Sequence, residues 1–358
     1  MDNSLNKSRK HLVLLGMFDL KTLESARSVR IHNLHQALQK HMPIRLIVGN
    51  RMARRKAIVQ FLRQGGLQNS SAIYVEASTS TATEFDLLLL RLARQKNIPI
   101  LIYIPDAYQL FPSLYPRKGL KVKLLDWGWR LSIASYQRLA DKLLFPTQGL
   151  ANCFNNIHPI SFLPPAGLSG RAISPLNWYQ PKIVYIGAAS YRYGSDLFLT
   201  ALEQVVSKIP DTQAHFITNN DHYLTDHPSR NAPWLKVEAK TFHELPQVMQ
   251  DATITVIPLR SNPYNDLALP VKLFDYMSFG RPTITTDCKE TTRFILNEKC
   301  GLVVSGHADA LADGIIQLLQ DREQARQMGQ KAYEAIQSSH AWEHRAERIL
   351  QIAAQLHS

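Results

Sequence analysis

Short runs of consecutive apolar residues alternate along this chain with stretches whose apolar positions recur every three or four residues. The first pattern predicts buried strands and the second predicts helices packed on them. In the first half, strands are predicted at 11–15, 44–48, 73–75, 98–104, 142–145 and 160–163. Helices are predicted at 28–40, through Val29, Ile31, Leu34 and Leu38, and at 84–95. The second half repeats the alternation, with strands at 183–186, 214–218, 234–238, 253–258, 283–286 and 302–304. Its helices begin at Ser195 and continue at 242–250, 270–279, 308–319, 322–335 and 340–356. Nearly all-apolar strands that alternate with helices predict parallel sheets, and so an α/β chain of doubly wound domains. Residues 164–181, PPAGLSGRAISPLNWYQP, are rich in Pro, Gly and Ser and lack a helical period. The expected organisation is a first domain over 1–165, a linker over 166–181, a second domain over 182–339 and a terminal helix over 340–358 that crosses back to the first domain.

The stretch 270–282, PVKLFDYMSFGRP, carries the most chemistry. Pro270 suits a first helical turn, because no intrahelical acceptor awaits an N–H there. Leu273, Phe274 and Met277 form an apolar stripe. Gly280 stands where a left-handed cap is needed, and Pro282 stops continuation. The loop before it, 259–269, opens at the carboxyl end of one strand and the amino end of a helix. Doubly wound sheets bind ligands at that place, and free N–H groups there favour phosphate. Lys272 and Asp275 are three apart and share a helix face. The pair fits an exposed ion pair. It also fits a lysine on a diphosphate with a carboxylate on a ribose diol.

These residues, with 283–287 and 300–304, resemble the nucleotide-sugar site of GT-B glycosyltransferases, in particular glycosyltransferase family 4 and its relatives (the glycosyl transferases group 1), in the variant with P-x-K-x-x-E/D-Y in this helix. The resemblance implies two Rossmann-like domains facing a central cleft. It makes Asp275 the second acid of the family's E-x7-E pattern, and hence a ribose contact, and it places Lys272 at the diphosphate. The first acid is replaced by Leu267, with Asp266 beside it, and Ala268 and Leu269 complete that loop. A glycine turn follows the first strand of the second domain, Gly187–Gly194, GAASYRYG. Where the commonest family form has arginine after the first glycine and lysine before the second, this chain has Ala188 and Tyr193, with Arg192 adjacent. Gly187, Arg192, Asp266, Leu267, Ala268, Leu269, Lys272 and Asp275 are therefore the candidate nucleotide-sugar contacts. Phe242 and His243 are candidates for the edge of a base pocket. Thr286, Asp287 and Glu290 read as cleft or helix-capping residues.

In the first half the strand at 98–104 ends in Pro105-Asp106, at a carboxyl edge. Asp106 is a candidate base for the acceptor hydroxyl if the reaction inverts; a turn aspartate after proline reads equally well. With Lys272 it completes the catalytic candidates. The run 51–56, RMARRK, leads a predicted helix that suits either a headgroup layer or the solvated edge of the sheet. Tyr108, Phe111, Tyr115, Trp127 and Trp129 cluster in sequence with Arg117, Lys118, Lys121, Lys123 and Arg130. Rings and cations in that mixture suit sugar faces with phosphates, or a bilayer interface.

The 358 residues, 45% hydrophobic and 20% charged, fit two ordinary cores and exclude a disordered chain. Net charge is +12, which suits anionic headgroups or phosphorylated substrates, and no helix-turn-helix, zinc-finger or RNP-type signature points to nucleic acid. Cys153, Cys288 and Cys300 are scattered, with no metal spacing, and favour a reducing compartment. The polar start MDNSLNKSRK and the short run Leu12–Leu15 do not make a signal peptide, and no run approaches the ~18 apolar residues of a spanning helix. No D-x-D pair occurs, in keeping with a metal-independent site that needs no cofactor. The expected activity is transfer of a sugar from a UDP- or GDP-type donor to a saccharide or lipid-linked acceptor in polysaccharide synthesis. The expected location is the cytoplasm, at the inner face of the membrane. A nucleotide-sugar epimerase or a non-catalytic scaffold subunit are the alternatives; release of nucleotide only in the presence of acceptor separates transfer from both.

Overall fold

Each apolar run becomes a parallel strand, and each periodic stretch becomes a helix that covers it. The computed structural model describes residues 10–17, 26–77, 81–116, 119–154 and 159–357. The chain forms two units, Met1–Pro164 with Trp342–Ser358, and Pro165–Ala341.

The first unit holds β1 (His11–Gly16), β2 (Ile44–Val48), β3 (Ser70–Glu76), β4 (Ile100–Tyr103), β5 (Lys142–Phe145) and β6 (Ile160–Phe162). They pair in parallel, in the order β2-β1-β3-β4-β5-β6. Leu12, Val13 and Leu14 of β1 and all four residues of β4 are buried, as strands with both faces covered must be. The helices are α1 (Ala26–Gln39), α2 (Arg51–Arg63), α3 (Glu84–Gln95), α4 (Leu120–Leu139) and the single turn α5 (Gln148–Ala151). The C-terminal helix Trp342–Gln355 packs on α1 within this unit. Thr83 caps α3 reciprocally with Asp86, so two free N–H groups of the first turn find acceptors.

Within α2 the structure corrects one expectation. Arg54 does not face solvent or a headgroup layer. It is buried, and its guanidinium donates to both carboxylate oxygens of the buried Asp86, at 2.9 and 2.8 Å, and to the carbonyl of Gly49 at 2.7 Å. Arg51 pairs with Glu84, and Arg55 lies over the Phe85 ring at 4.6 Å. The basic run ties α2 to α3, and so fits the edge-covering reading. The aromatic cluster likewise divides. Trp129 is in the core, the Tyr108 and Tyr115 rings pair at 5.7 Å, and Trp127 is exposed. Arg117 and Lys118 lie outside the described residues.

The second unit holds β7 (Lys182–Ile186), β8 (Gln213–Ile217), β9 (Leu235–Glu238), β10 (Ile254–Ile257), β11 (Thr283–Thr286) and β12 (Gly301–Val304), all parallel, in the order β12-β11-β10-β7-β8-β9. Its helices are α6 (Ser195–Lys208), α7 (Leu245–Asp251), α8 (Val271–Ser278), α9 (Lys289–Glu298), α10 (Ala308–Gln320) and α11 (Arg322–Ala335); the C-terminal helix is thus α12. One apolar core lies under α6 and α10, and another lies under α8 and α11. Strand order reverses between β7 and β10, which makes their carboxyl ends the switch point where ligands bind in sheets of this kind. Residues 165–181 form no helix or strand but are packed along this unit. Gly167 bridges to Ala341, the Leu168 N–H donates to Ser278 Oγ at 2.9 Å, and Arg171 lies over the Phe279 ring.

Candidate nucleotide-sugar site

The switch point sets the site. β7 ends at Ile186, and β10 ends at Ile257, so the loops that follow them meet. Gly194 marks the contact. A Cβ added there would sit 1.7 Å from the backbone carbonyl oxygen of Pro258, and its φ is +68°, so only glycine fits. The glycine turn is pinned further by Ser190, whose N–H donates to Ser195 Oγ and whose hydroxyl receives the Tyr193 N–H.

From the other loop rises α8. Leu273, Phe274 and Met277 are wholly buried, which anchors the helix by the stripe its spacing predicted. Pro270 is the N-cap rather than the first helical residue, and its carbonyl receives the Leu273 N–H at 3.1 Å. Gly280 takes the left-handed cap at φ +62°. Tyr276 locks the helix to the sheet, because its hydroxyl accepts the Ile186 N–H at 2.9 Å. This bond holds α8 against the end of β7.

Lys272 then projects into an aromatic recess. Its Nζ lies 4.1 Å from the centroid of the Tyr185 ring and 5.7 Å from that of Tyr193. The ammonium is buried and has no hydrogen-bond partner. Desolvation pushes its pKa down to about 7. Gly187 makes the room for it, since a Cβ there would be 2.5 Å from Nζ and 3.0 Å from the Tyr185 hydroxyl. Tyr185 is held in turn by donating to the Ala188 carbonyl at 2.9 Å. Asp275, one turn on, is also desolvated. Burial pushes its carboxyl up to about 7, against the opposing pull of the Arg171 charge. Among the described residues no ion pair joins Lys272 to Asp275, so the exposed-pair reading fails: the Lys272 ammonium is buried, Asp275 is half-buried, and neither neutralises the other.

The structure gathers Gly187, Arg192 and Lys272 around Tyr185 and Tyr193. Arg192 lies over the Tyr193 ring at 4.5 Å and donates to its hydroxyl at 2.7 Å. The loop before α8 is folded on itself by Asn262, whose Oδ1 receives the N–H groups of Tyr264 and Asn265. Asp266 is taken up by Ser261 Oγ at 2.9 Å and Lys289 Nζ at 3.5 Å. Leu267 ends a short 3-10 turn, the Ala268 carbonyl accepts from Thr291 Oγ1, and Leu269 packs on the core beneath α8. Sequence reasoning missed Tyr185 as the floor of the recess; a tyrosine in an otherwise apolar strand, two residues before the glycine turn, was the available signal. It also missed Arg171, which no periodicity marks. The capping reading of Thr286 and Asp287 is corrected: Cys288 is the N-cap of α9, with no side-chain bond to the helix N–H groups, and the Thr286 hydroxyl donates to the Leu259 carbonyl instead. Glu290 pairs with Arg293 at 2.5 Å, and the Phe242 and His243 rings meet edge to face at 5.7 Å.

In the first unit Asp106 follows β4 and pairs with Arg27 at 2.5 Å. Its other carboxylate oxygen is buried without a hydrogen-bond partner, and burial raises its pKa. Beside it Arg30 donates to Glu76 at 2.7 Å and lies 3.9 Å over the Tyr103 ring, while the Tyr74 hydroxyl donates to Glu76 at 2.8 Å.

Residues 180–321 match the family model described as Glycosyl transferases group 1. Curated proteins gave no sequence match. Among solved structures, the chain is similar to the sucrose-phosphate synthase of Thermosynechococcus elongatus at a TM-score of 0.70 and 15% identity, over 98% of this chain and 99% of that one. It is similar to HepE of Anabaena, determined with UDP, at a TM-score of 0.66 and 12% identity, over 97% of this chain and all of that one. WaaG, a glycosyltransferase of lipopolysaccharide biosynthesis, follows at 0.65 and 11%, over 96% and 99%. At these identities the structural likeness is one of fold, and it spans both sheets. The fold expected from the resemblance is the fold observed: the chain has the GT-B fold of these structures, and its residues 180–321 match the glycosyl transferases group 1 model.

Proposed function

We propose that this protein moves a sugar from a UDP- or GDP-type donor to an acceptor hydroxyl, and that the diphosphate rests on Lys272. The observation that carries the proposal is a buried ammonium with no partner, set under a glycine at the switch point of the sheet. An amine in that state waits for an anion. When the glycosidic bond to the nucleotide breaks, negative charge grows on the β-phosphate oxygen that leaves. Lys272 stabilises that charge in a recess shielded from water, where the interaction is stronger than in bulk solvent. The bound diphosphate also returns the lysine to its charged form, because an adjacent anion raises the pKa that desolvation lowered. Arg192 and the N–H groups of the glycine turn supply further positive potential. Asp275 accepts from a ribose diol in this reading, and Arg171 favours its ionised form.

The site needs no metal in this reading. The chain has no D-x-D pair, which is in keeping with that reading. Asp106 takes the acceptor proton if the anomeric centre inverts; with retention, the donor phosphate does so. The acceptor is a lipid-linked saccharide or a polysaccharide precursor, and the protein works in the cytoplasm at an anionic membrane face. HepE, whose structures hold UDP and UDP-glucose, supports a nucleotide donor for this fold.

A charge-assisted hydrogen bond from Lys272 is worth about 1.5–3 kcal/mol. Lys272→Ala and Asp275→Asn are each expected to weaken UDP or GDP binding by at least about tenfold in calorimetry. Native affinity in both variants overturns the assignment. An epimeric nucleotide sugar formed without any acceptor would transfer the reading to an epimerase; binding without turnover on any donor–acceptor mixture would make the chain a scaffold.

A further inference from the structure

Helix α4 is apolar on two opposite sides. Trp129, Ile133 and Tyr136 point into the first unit and are 2%, 7% and 2% exposed. Leu120, Leu124, Trp127 and Leu131 recur at four, three and four residues, so they form one stripe on the reverse side. They are 74%, 59%, 62% and 46% exposed. Single exposed leucines are ordinary, but a continuous row of large side chains along a helix marks a surface that meets something.

The residues beside the stripe say what it meets. Lys121 lies on one flank, Lys123 and Arg130 lie on the other, and all three are exposed. Within α4 four basic residues stand against one acid, Asp126. A second copy of this chain would bring the same basic rows and its own +12 net charge to the contact, so self-association is disfavoured electrostatically. A bilayer with anionic headgroups complements both parts, with the leucines and Trp127 entering the acyl boundary and the lysines reaching phosphates. Tryptophan is the residue type that prefers that depth. No helix among the described residues is long and apolar enough to cross a membrane, so α4 would lie in the interface plane.

We infer that the outer face of α4 docks the first unit onto an anionic lipid surface. The inference gives the membrane-facing part of the reading above a surface, and does not depend on the nucleotide site.

The test is flotation of the full chain with phosphatidylcholine vesicles, with and without phosphatidylglycerol. The wild type is expected to bind the anionic vesicles, with Trp emission shifting to the blue, and to bind neutral ones at least about tenfold less well. The double variant Leu124→Glu/Leu131→Glu is expected to lose anionic binding by at least about tenfold, while its melting temperature and its thermal shift with UDP or GDP stay native. Lys121→Gln/Lys123→Gln should narrow the difference between the two vesicle types. Three results overturn the inference: no binding by the wild type, equal binding by the leucine variant, or a wild-type dimer in light scattering that the leucine variant abolishes. Loss of nucleotide response in Lys272→Ala is read separately, so failure at one site does not disguise failure at the other.

Discussion

The two units bury their cations in opposite ways. In the first, Arg54 meets both oxygens of Asp86, and Arg30 meets Glu76. Each of these two guanidiniums meets a carboxylate within the fold. In the second, Lys272 is buried against tyrosine rings with no acceptor, and Asp275 is desolvated one turn away without pairing to it. Paired cations fix the packing of helices on a sheet. An unpaired one is a cost the fold carries until an anion arrives, and proteins tolerate such costs where binding needs them. The contrast therefore separates structural charge from site charge without any appeal to ligands.

The largest expected effect lies on the structural side. Arg54→Met leaves the Asp86 carboxylate buried without its partner and should destabilise the protein by about 3–5 kcal/mol in urea or thermal unfolding. Lys272→Met should act in the other direction. It replaces a desolvated amine by a group of similar shape, so the empty protein should gain at least about 1.4 kcal/mol at pH 7, the equivalent of one pK unit. Its affinity for UDP or GDP should fall at the same time. If Lys272→Met instead destabilises the empty protein, the lysine is paired after all and belongs with Arg54.

A pH profile sharpens the same comparison. The folded pKa of Lys272 lies below its ordinary value of 10.5, so the unfolded chain binds more protons between about 7 and 10.5. Its destabilising effect is full below pH 7 and is relieved as pH rises through that window. Asp275 is raised from 3.8 to about 7, so its effect is absent in acid and becomes full as pH rises from 4 to 7. Together they contribute a dip in the stability of the empty protein near pH 7. Thermal melts across pH 4–10 should show Asp275→Asn removing the acidic limb and Lys272→Met removing the basic one, with saturating UDP or GDP filling the dip. A profile unchanged by either substitution would mean that both groups are solvated.

Much of this was legible in the chain. The stripe Leu273, Phe274, Met277, the cap at Gly280 and the runs that became β7, β10 and β11 follow from periodicity, which depends only on neighbours a few residues apart. So did the presence of Lys272 and Asp275 on one helix. What spacing cannot carry is direction. The i,i+3 interval fits a solvated ion pair as readily as two unpaired groups, and only the Tyr276–Ile186 bond, which turns the helix, decides between them. Arg54 shows the converse: a basic run reads as surface until a partner thirty-two residues away, Asp86, draws one member inside. Arg171 comes from a stretch with no period at all, and its proximity to Asp275 is purely tertiary.

The smallest effect on the fold, and the finest test of the comparison, is Gly187→Ala. The added methyl would meet Lys272 Nζ at 2.5 Å, and that is the tip of a flexible side chain rather than backbone. The ammonium can withdraw, so the fold should lose no more than about 1–2 kcal/mol, most of it from the positive φ at this position. Withdrawal, however, removes the charge from the recess, and UDP or GDP binding should weaken by about tenfold, one charged hydrogen bond's worth. Gly194→Ala provides the contrast, because its methyl meets the Pro258 carbonyl, which has no such freedom, and its penalty should fall on stability first. A Gly187→Ala protein that melts early yet binds nucleotide normally would show that the glycine serves the chain's path and not the lysine, and the line drawn here between structural and site charge would have to move.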